Sequence, residues 1–281
     1  MPPCLPNAKK PSPSVHCISG PGAFVIPNPW DAGSTLLLNA FGFEALATTS
    51  AGCAFALGRQ DGGGGIGRAV TLANARAIVE ATDLPVSADL ENGFGDAPEA
   101  CAETIRAASA VGLAGGSIED ASGDDARPIY DFEHAVERVA AAVEAARALP
   151  IPFVLTARAE NFLHGRPDLD DTIRRLQAFE QAGAEVLYAP GLTKLEQIRT
   201  VCGSVSRPVN VVMGLVGATF SVPQLAEAGV KRISLGSSLA RAALGALTRA
   251  AREIRDQGTF SFAAEAIPFA EIERQMRPNR A

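Results

Sequence analysis

Eight short apolar segments alternate with alanine-rich segments of helical periodicity along almost the whole chain. The apolar segments are bounded by glycine, proline or aspartate, which is typical of buried β-strands. The predicted strands cover residues 23–27, 45–49, 85–89, 113–119, 152–158, 185–189, 208–212 and 231–236. The predicted helices cover residues 31–40, 68–81, 97–110, 132–147, 169–182, 193–202, 221–228 and 238–256, and a last amphipathic segment covers residues 260–275.

This alternation predicts an α/β fold with a parallel sheet covered by helices. The simplest such fold is a closed (β/α)8 TIM barrel, here with a C-terminal helical extension. A doubly wound open sheet is the structural alternative. Residues 1–22 are rich in proline, serine and lysine without periodicity, so we expect an irregular N-terminal arm. Residues 23–281 would then form a single barrel domain, since such barrels commonly reach about 250 residues.

The composition excludes several classes of protein. With 47% hydrophobic residues and a net charge of only -6, the chain can bury enough surface to fold. An excess of 31 acidic over 25 basic residues disfavours nucleic acid and anionic membranes as partners. No segment has the length and character of a signal peptide or a membrane span, and five scattered cysteines form no Cys-x-x-Cys pair. We therefore expect a cytoplasmic protein that acts on a small molecule.

Polar residues concentrate at the carboxyl ends of the predicted strands, where barrel enzymes place their catalytic groups. The amino ends of the strands carry little but proline and leucine. If the polar residues served only to solvate the surface, both ends would carry similar numbers of them. The polar residues at the carboxyl ends are Asn28, Trp30, Asp31, Thr48, Thr49, Ser50, Asp89, Glu91, Glu119, Asp120, Arg158, Glu160 and Asn210.

Four carboxylates converge on this rim, namely Asp61, Asp89, Glu91 and Glu119. They would repel each other unless a positive charge lies among them. A hard divalent cation bound by oxygen ligands is the simplest source of that positive charge. We expect Mg2+, with Mn2+ as an alternative. Taken singly, each carboxylate is better explained as a helix cap or a loop residue, and only the four together favour a site.

Arg158 is the cation at a strand end within this set. Its planar guanidinium suits a substrate carboxylate. The alternative is a structural ion pair with Glu119 or Glu160.

Several other patterns do not support a site. The glycine-rich stretch at residues 62–67 does not directly follow a strand, so we interpret it as a rim loop and not as a dinucleotide-binding turn. The three histidines share no metal-ligand spacing, and only His164 lies on a rim loop. No lysine stands where a Schiff-base or enolase-type barrel needs one.

The motifs, taken together and in order, resemble the isocitrate lyase / phosphoenolpyruvate mutase superfamily. The matching motifs are NPWD at residues 28–31, TTSAG at 48–52, LGRQD at 57–61, DLENGFG at 89–95, IED at 118–120 and TAR at 156–158. The stretches at residues 158–171 and 232–236 are similar to those of less characterised members.

The resemblance implies a (β/α)8 barrel whose eighth helix is exchanged between subunits of a homo-oligomer, a dimer or a tetramer. It implies that Asp89 is the direct Mg2+ ligand and that Asp61, Glu91 and Glu119 act mainly through water. Arg158, Glu119 and Asp61 are the implied catalytic residues. The implied substrate-binding residues are Trp30, Thr49, Ser50, Ala51, Asp89, Arg158 and Asn210.

The loop after strand four departs from the family patterns. Isocitrate and methylisocitrate lyases carry a cysteine there as the acid, whereas this chain has ASGDDARP at residues 121–128. Asp124 and Asp125 would repel the phosphonate that mutases bind, and Arg127 could meet a distal carboxylate.

Three functions therefore compete. The first is a Mg2+-dependent lyase or decarboxylase that cleaves a carbon–carbon bond of a small 2-oxo or 2-hydroxy dicarboxylic acid through an enolate. The second is an enzyme of carbon–phosphorus chemistry, either a phosphoenolpyruvate phosphonomutase or a phosphonopyruvate hydrolase. The third is a barrel that binds a 2-oxo acid without turning it over.

Overall fold

The computed structural model describes residue 20 and residues 22–62, 65–215 and 219–277. The predicted arm at residues 1–22 lies almost entirely outside the described residues. Its separation from a single domain at residues 23–281 therefore stays a prediction.

Eight parallel strands form one sheet, and every predicted strand is confirmed in position. The sheet order is β1-β8-β7-β6-β5-β4-β3-β2. Consecutive strands therefore pair from β2 to β8, and β1 pairs with β8. The strands are β1 Phe24–Ile26, β2 Leu46–Ala47, β3 Val86–Asp89, β4 Gly115–Glu119, β5 Val154–Arg158, β6 Val186–Tyr188, β7 Val209–Val212 and β8 Arg232–Ser234.

The sheet closes into a nearly complete barrel. Strands β1 and β8 pair in register from Phe24 opposite Arg232. Strands β1 and β2 form no ladder among the described residues, but the Ala47 amide donates to the Pro27 carbonyl at 3.0 Å. The Asn28 side chain bridges the gap, because its amide donates to the Thr48 carbonyl at 2.8 Å and its oxygen accepts from the Leu235 and Gly236 amides. The predicted (β/α)8 barrel is confirmed.

Helices follow the strands as predicted, with one addition. The helices are α1 Ala32–Asn39, α2 Ser50–Ala56, α3 Arg68–Glu80, α4 Pro98–Ala110, α5 Phe132–Arg147, α6 Leu169–Ala182, α7 Leu195–Ser204, α8 Val222–Glu227, α9 Ser238–Gln257 and α10 Phe269–Gln275. The sequence did not predict α2, because its seven residues are mostly small and include Gly52. The segment at residues 260–275 is divided, since Pro268 keeps the preceding residue out of helical geometry, and a 3-10 turn at Ser261–Glu265 precedes α10.

The core lies between the barrel and helices α3 to α8, and the C-terminal helices lie outside it. Ile105, Leu176 and Ile198 are fully buried against the strands. Helix α9 buries only Ala240, and it leaves Leu244 and Leu247 exposed. Within the described part of the chain, no helix has the length and apolar character needed to cross a membrane.

Candidate active site

A cavity of about 170 Å³ opens at the carboxyl end of the barrel. This is small compared with the roughly 300–1,000 Å³ of pockets for drug-sized ligands, so it suits a small acid. Polar side chains from all eight strands, or from the loops after them, line it. The polar lining residues are Asn28, Thr48, Thr49, Ser50, Asp61, Ser87, Asp89, Ser117, Arg158, Tyr188, Asn210, Arg232, Ser234 and Ser237.

The Arg158 guanidinium, at the end of β5, binds three carboxylates at once. Its Nη1 lies 3.0 Å from Asp89, its Nη2 lies 3.0 Å from Glu119, and its Nε lies 2.8 Å from Glu160. Register places these groups together, because Glu119 on β4 is the direct neighbour of Arg158 on β5. The structural pairing that the sequence left open is therefore present with both Glu119 and Glu160.

Asp89 is held from the opposite side by the segment after β2. Ser50 donates its hydroxyl to Asp89 Oδ2 at 3.0 Å, and the Asp89 amide donates to Thr48 Oγ1 at 3.0 Å. Ser50 occupies this position because Thr49 caps helix α2, accepting from the Gly52 amide at 3.2 Å. The TTSAG motif thus forms one wall of the pocket, and Ala51 lies in that wall.

Three carboxylates of the site have pKa values above their ordinary range. Burial, and then the negative charges of Asp89 and Asp61, raise the pKa of Glu91 to about 7. Burial also raises the pKa of Asp61, with Asp89 adding to the effect. Burial raises the pKa of Glu119 well above its ordinary value although Arg158 opposes the shift. One guanidinium therefore does not balance the negative charge that the rim concentrates.

The loop after β3 is fixed by an arginine on α5. Glu91 adopts a φ of 47°, a left-handed conformation that is unfavourable for a glutamate. Arg138 is buried and donates to three carbonyls that follow, those of Asn92, Gly95 and Asp96. These bonds keep the loop, and with it Glu91, against the rim.

A second buried ion-pair network lies behind Arg158. Arg175 on α6 lies 3.0 Å from Asp120 and 2.8 Å from Asp171. Asp120 in turn accepts the Glu160 amide at 2.8 Å. The network therefore fixes Glu160, the residue that accepts the hydrogen bond from the Nε of Arg158.

The side chains of the site offer oxygen donors of the kind that Mg2+ prefers. No three His, Cys, Asp or Glu side chains in the described ranges converge in the way a metal-binding cluster requires. All the candidate donors are nonetheless oxygens, and the raised pKa values of Asp61, Glu91 and Glu119 mark a surplus of negative charge. Mg2+ commonly takes one or two carboxylates directly and keeps several waters. The residues present fit such a cation, with Asp89 at the centre of the group.

The floor of the pocket contains a cation that sequence reasoning missed. Arg232 on β8 donates through Nε to Asn210 Oδ1 at 2.8 Å and through Nη2 to Thr156 Oγ1 at 2.9 Å. Asn210 also donates to the Ser234 hydroxyl at 3.0 Å. A signal was present in the sequence, because the last predicted strand, KRISLG, carries this arginine at the residue before Ile233. Barrel interiors are usually filled by branched apolar side chains.

The chain is similar to a known family of enzymes along most of its length. A family model described as phosphoenolpyruvate phosphomutase matches residues 17–255. This chain belongs to the phosphoenolpyruvate phosphomutase family. The solved structure of a candidate lyase/mutase of Burkholderia cenocepacia is 58% identical to it, with a TM-score of 0.92 over 95% of each chain.

Relatives within this family include lyases. The 2-methylisocitrate lyase of Escherichia coli is 32% identical over 238 residues, which are 82% of this chain and 79% of that protein. The structure of 2,3-dimethylmalate lyase, a member of the PEP mutase/isocitrate lyase superfamily, is 27% identical, with a TM-score of 0.83 over 94% of this chain and 93% of that one. The predicted superfamily is confirmed, and the prediction of a lyase-type enzyme agrees with these relatives.

Some predicted residues of this family member lie outside the pocket lining, among them the predicted metal-site carboxylates Glu91 and Glu119. Trp30 contributes its carbonyl to the Asn74 amide at 2.8 Å and does not line the cavity. Arg127 is 82% exposed and lies 3.7 Å from Asp124 of its own loop, so its guanidinium does not face the cavity. On the loop after β5, Leu163 lines the pocket and the exposed His164 does not.

Proposed function

We propose that the protein is a Mg2+-dependent lyase or decarboxylase that cleaves a carbon–carbon bond of a small 2-oxo or 2-hydroxy dicarboxylic acid through an enolate. The observation that carries this proposal is the cluster of carboxylates around Arg158 at the mouth of a small cavity. The relatedness to 2-methylisocitrate lyase and 2,3-dimethylmalate lyase supports it.

Asp89 would hold Mg2+ directly, and Asp61, Glu91 and Glu119 would act through water. The cation would supply Lewis-acid stabilisation of negative charge on the substrate oxygen. Mn2+ has the same preference for carboxylate and water ligands and could replace it.

The side chains of the pocket would orient the substrate and meet the charge that develops. Thr49, Ser50 and Ala51 form the wall that places the 2-oxygen near Arg158. In a 2-oxo acid, the bond between the third and fourth carbons would break, the fourth carbon would leave as CO2, and the electron pair would form an enolate whose third carbon then takes a proton. In a 2-hydroxy acid, the hydroxyl would give up its proton and the bond between the second and third carbons would break. The 2-oxygen then becomes a carbonyl, and the electron pair forms the enolate of the departing carboxylic acid, whose carbon takes a proton. Arg158 would stabilise that enolate electrostatically, because its position is already fixed by Glu119 and Glu160.

A carbon–phosphorus enzyme is the second candidate, and the phosphomutase family model favours it. Against it stands the loop after β4, which meets the phosphonate in the mutases and which carries Asp124 and Asp125 in this chain. Their charges would repel a phosphonate. A barrel that only binds a 2-oxo acid is the third candidate, because that loop lacks the cysteine acid of the related lyases.

The deciding experiment is a turnover screen of the purified protein with Mg2+ against oxaloacetate, 2-methylisocitrate, 2,3-dimethylmalate and phosphonopyruvate. The proposal expects products of carbon–carbon cleavage from at least one of the first three acids. Turnover of phosphonopyruvate alone would support the second candidate and refute the first.

We also propose a homo-oligomer, a dimer or a tetramer, in which helix α9 packs on another subunit. Its apolar side chains recur at three- and four-residue spacing, and Leu244, Leu247 and Ile254 are exposed.

The described cysteines are free, which supports a reducing, cytoplasmic location.

A further inference from the structure

Arg232 crosses the interior of the barrel from one side to the other. It belongs to β8, yet its Nη2 reaches Thr156 on β5 at 2.9 Å, past the strand that carries Asn210. Its side chain lines the same cavity as Arg158. The residue is 7% exposed, so its charge lies almost entirely away from bulk water.

This buried charge has no carboxylate partner among the described residues. The two hydrogen bonds of Arg232 go to neutral oxygens, and they use two of the five N–H groups of the guanidinium. A buried ion without a counter-charge is expensive in free energy. Burial accordingly lowers the pKa of Arg232 to about 10, which still leaves it cationic at neutral pH.

The other buried arginines have more partners within the protein, although the Nε of Arg138 has none. Arg158 lies against three carboxylates and Arg175 against two. Arg138 donates to three backbone carbonyls. Arg138 also lacks a carboxylate partner, but it does not line the cavity. Of the two arginines that line the cavity, Arg232 is therefore the one whose charge no carboxylate of the described residues balances.

The substrate can reach this charge from the pocket. The cavity extends from Asp89 and Arg158 at the rim to Asn210 and Arg232 below them. Arg127, which the sequence suggested for a distal carboxylate, is exposed and does not line the cavity.

We propose that Arg232 binds the second carboxylate of a dicarboxylic acid whose other carboxylate and 2-oxygen lie near Asp89. This assignment rests on the proposed function for the position of the reacting end. In this assignment, a residue at the floor of the barrel determines the specificity for a dicarboxylate, and the loop after β4 does not. Asn210 and Thr156 act as positioning residues, because they fix the orientation of the guanidinium.

The test compares two ligands that share a four-carbon skeleton and differ in one carboxylate. Malate and 2-hydroxybutyrate are titrated by calorimetry, with Mg2+ present, into the full-length wild-type protein and the variants R232M, R232K and T156V. We expect the wild type to prefer malate by about 30-fold, which is about 2 kcal/mol. R232M should reduce this preference to about threefold while its affinity for 2-hydroxybutyrate stays unchanged. R232K should keep part of the preference, and T156V, which removes only the hydroxyl partner, should keep most of it.

Three results would overturn the assignment. These are a wild type that does not prefer malate, an R232M protein that keeps the preference, and an equal loss of affinity for both ligands in R232M. If R232M does not fold, R232Q takes its place in the same titration, since it also removes the charge. A protein that prefers malate through Arg232 but cleaves none of the four screened acids would refute the proposed reaction and leave the carboxylate site standing.

Discussion

At the scale of single residues, Arg158 organises the site through its three carboxylate partners. The motifs predicted that Arg158, Asp89 and Glu119 would meet at the rim, because carboxyl ends of parallel strands share one edge. Sequence reasoning could not decide between a substrate and a structural partner, since that depends on side-chain geometry. Arg232 was missed because a periodicity argument expects an apolar residue inside a barrel strand.

Glu91 makes stability depend on pH and on the cation. Its folded-state pKa of about 7 lies above the ordinary value of 4.5, so the native state binds this proton more tightly than the unfolded state. Without a divalent cation, the free energy of unfolding should therefore fall as pH rises from about 4.5 through 7. After allowance for partial solvent screening, we expect a loss of about 1–2 kcal/mol from this group.

Urea unfolding at pH 5 and pH 8, with EDTA and then with Mg2+, measures this effect. Mg2+ should stabilise the protein more at pH 8 than at pH 5, and Glu91→Gln should flatten the pH dependence in EDTA. Glu103→Gln, at an exposed ion pair with Arg68, is the matched control and should leave the slope unchanged. An unaltered slope in Glu91→Gln would show that Glu91 does not carry the proton.

At the scale of elements, the close pairing of β4 with β5 sets the position of the carboxylates. Residues of the two strands are in register from Gly115 opposite Val154 to Glu119 opposite Arg158. The strand positions could be predicted because apolar runs bounded by turn residues are a strong signal. Helix α2 could not, since its formation depends on the Thr49 cap and on packing of Gly52 against Trp30, where an added Cβ would meet the Trp30 Cβ at 2.9 Å.

Gly115→Ala should destabilise this strand pair. A Cβ at Gly115 would lie 2.7 Å from the Val154 carbonyl oxygen, which is backbone and cannot rotate away. We expect a loss of about 2 kcal/mol in the free energy of unfolding, measured by urea denaturation. Gly203→Ala is the control, because Gly203 lies in helix α7 with nothing within 4 Å of an added Cβ, and it should be neutral or stabilising. Equal stability of the two variants would contradict the expected clash.

At the scale of the whole molecule, the exposed apolar face of helix α9 predicts self-association. Light scattering after size exclusion should give the mass of a dimer or a tetramer. Leu247→Glu places a charge on the 64% exposed leucine of this face and should shift the protein towards one chain. Phe41→Glu, at an exposed aromatic that follows helix α1, should leave the mass unchanged. A wild type with the mass of one chain would refute the prediction.

If the proposed function is correct, the rate of carbon–carbon cleavage depends on Mg2+. The most direct measurement follows release of the 2-oxo acid product from the best acid of the screen, in EDTA and after addition of Mg2+, for the wild type and for Asp89→Ala. The wild-type rate should fall to the uncatalysed background in EDTA and return with Mg2+. Asp89→Ala, folded by circular dichroism, should stay at the background in both conditions. Cleavage that persists in EDTA, or in folded Asp89→Ala, would contradict a cation-dependent lyase site built around Asp89.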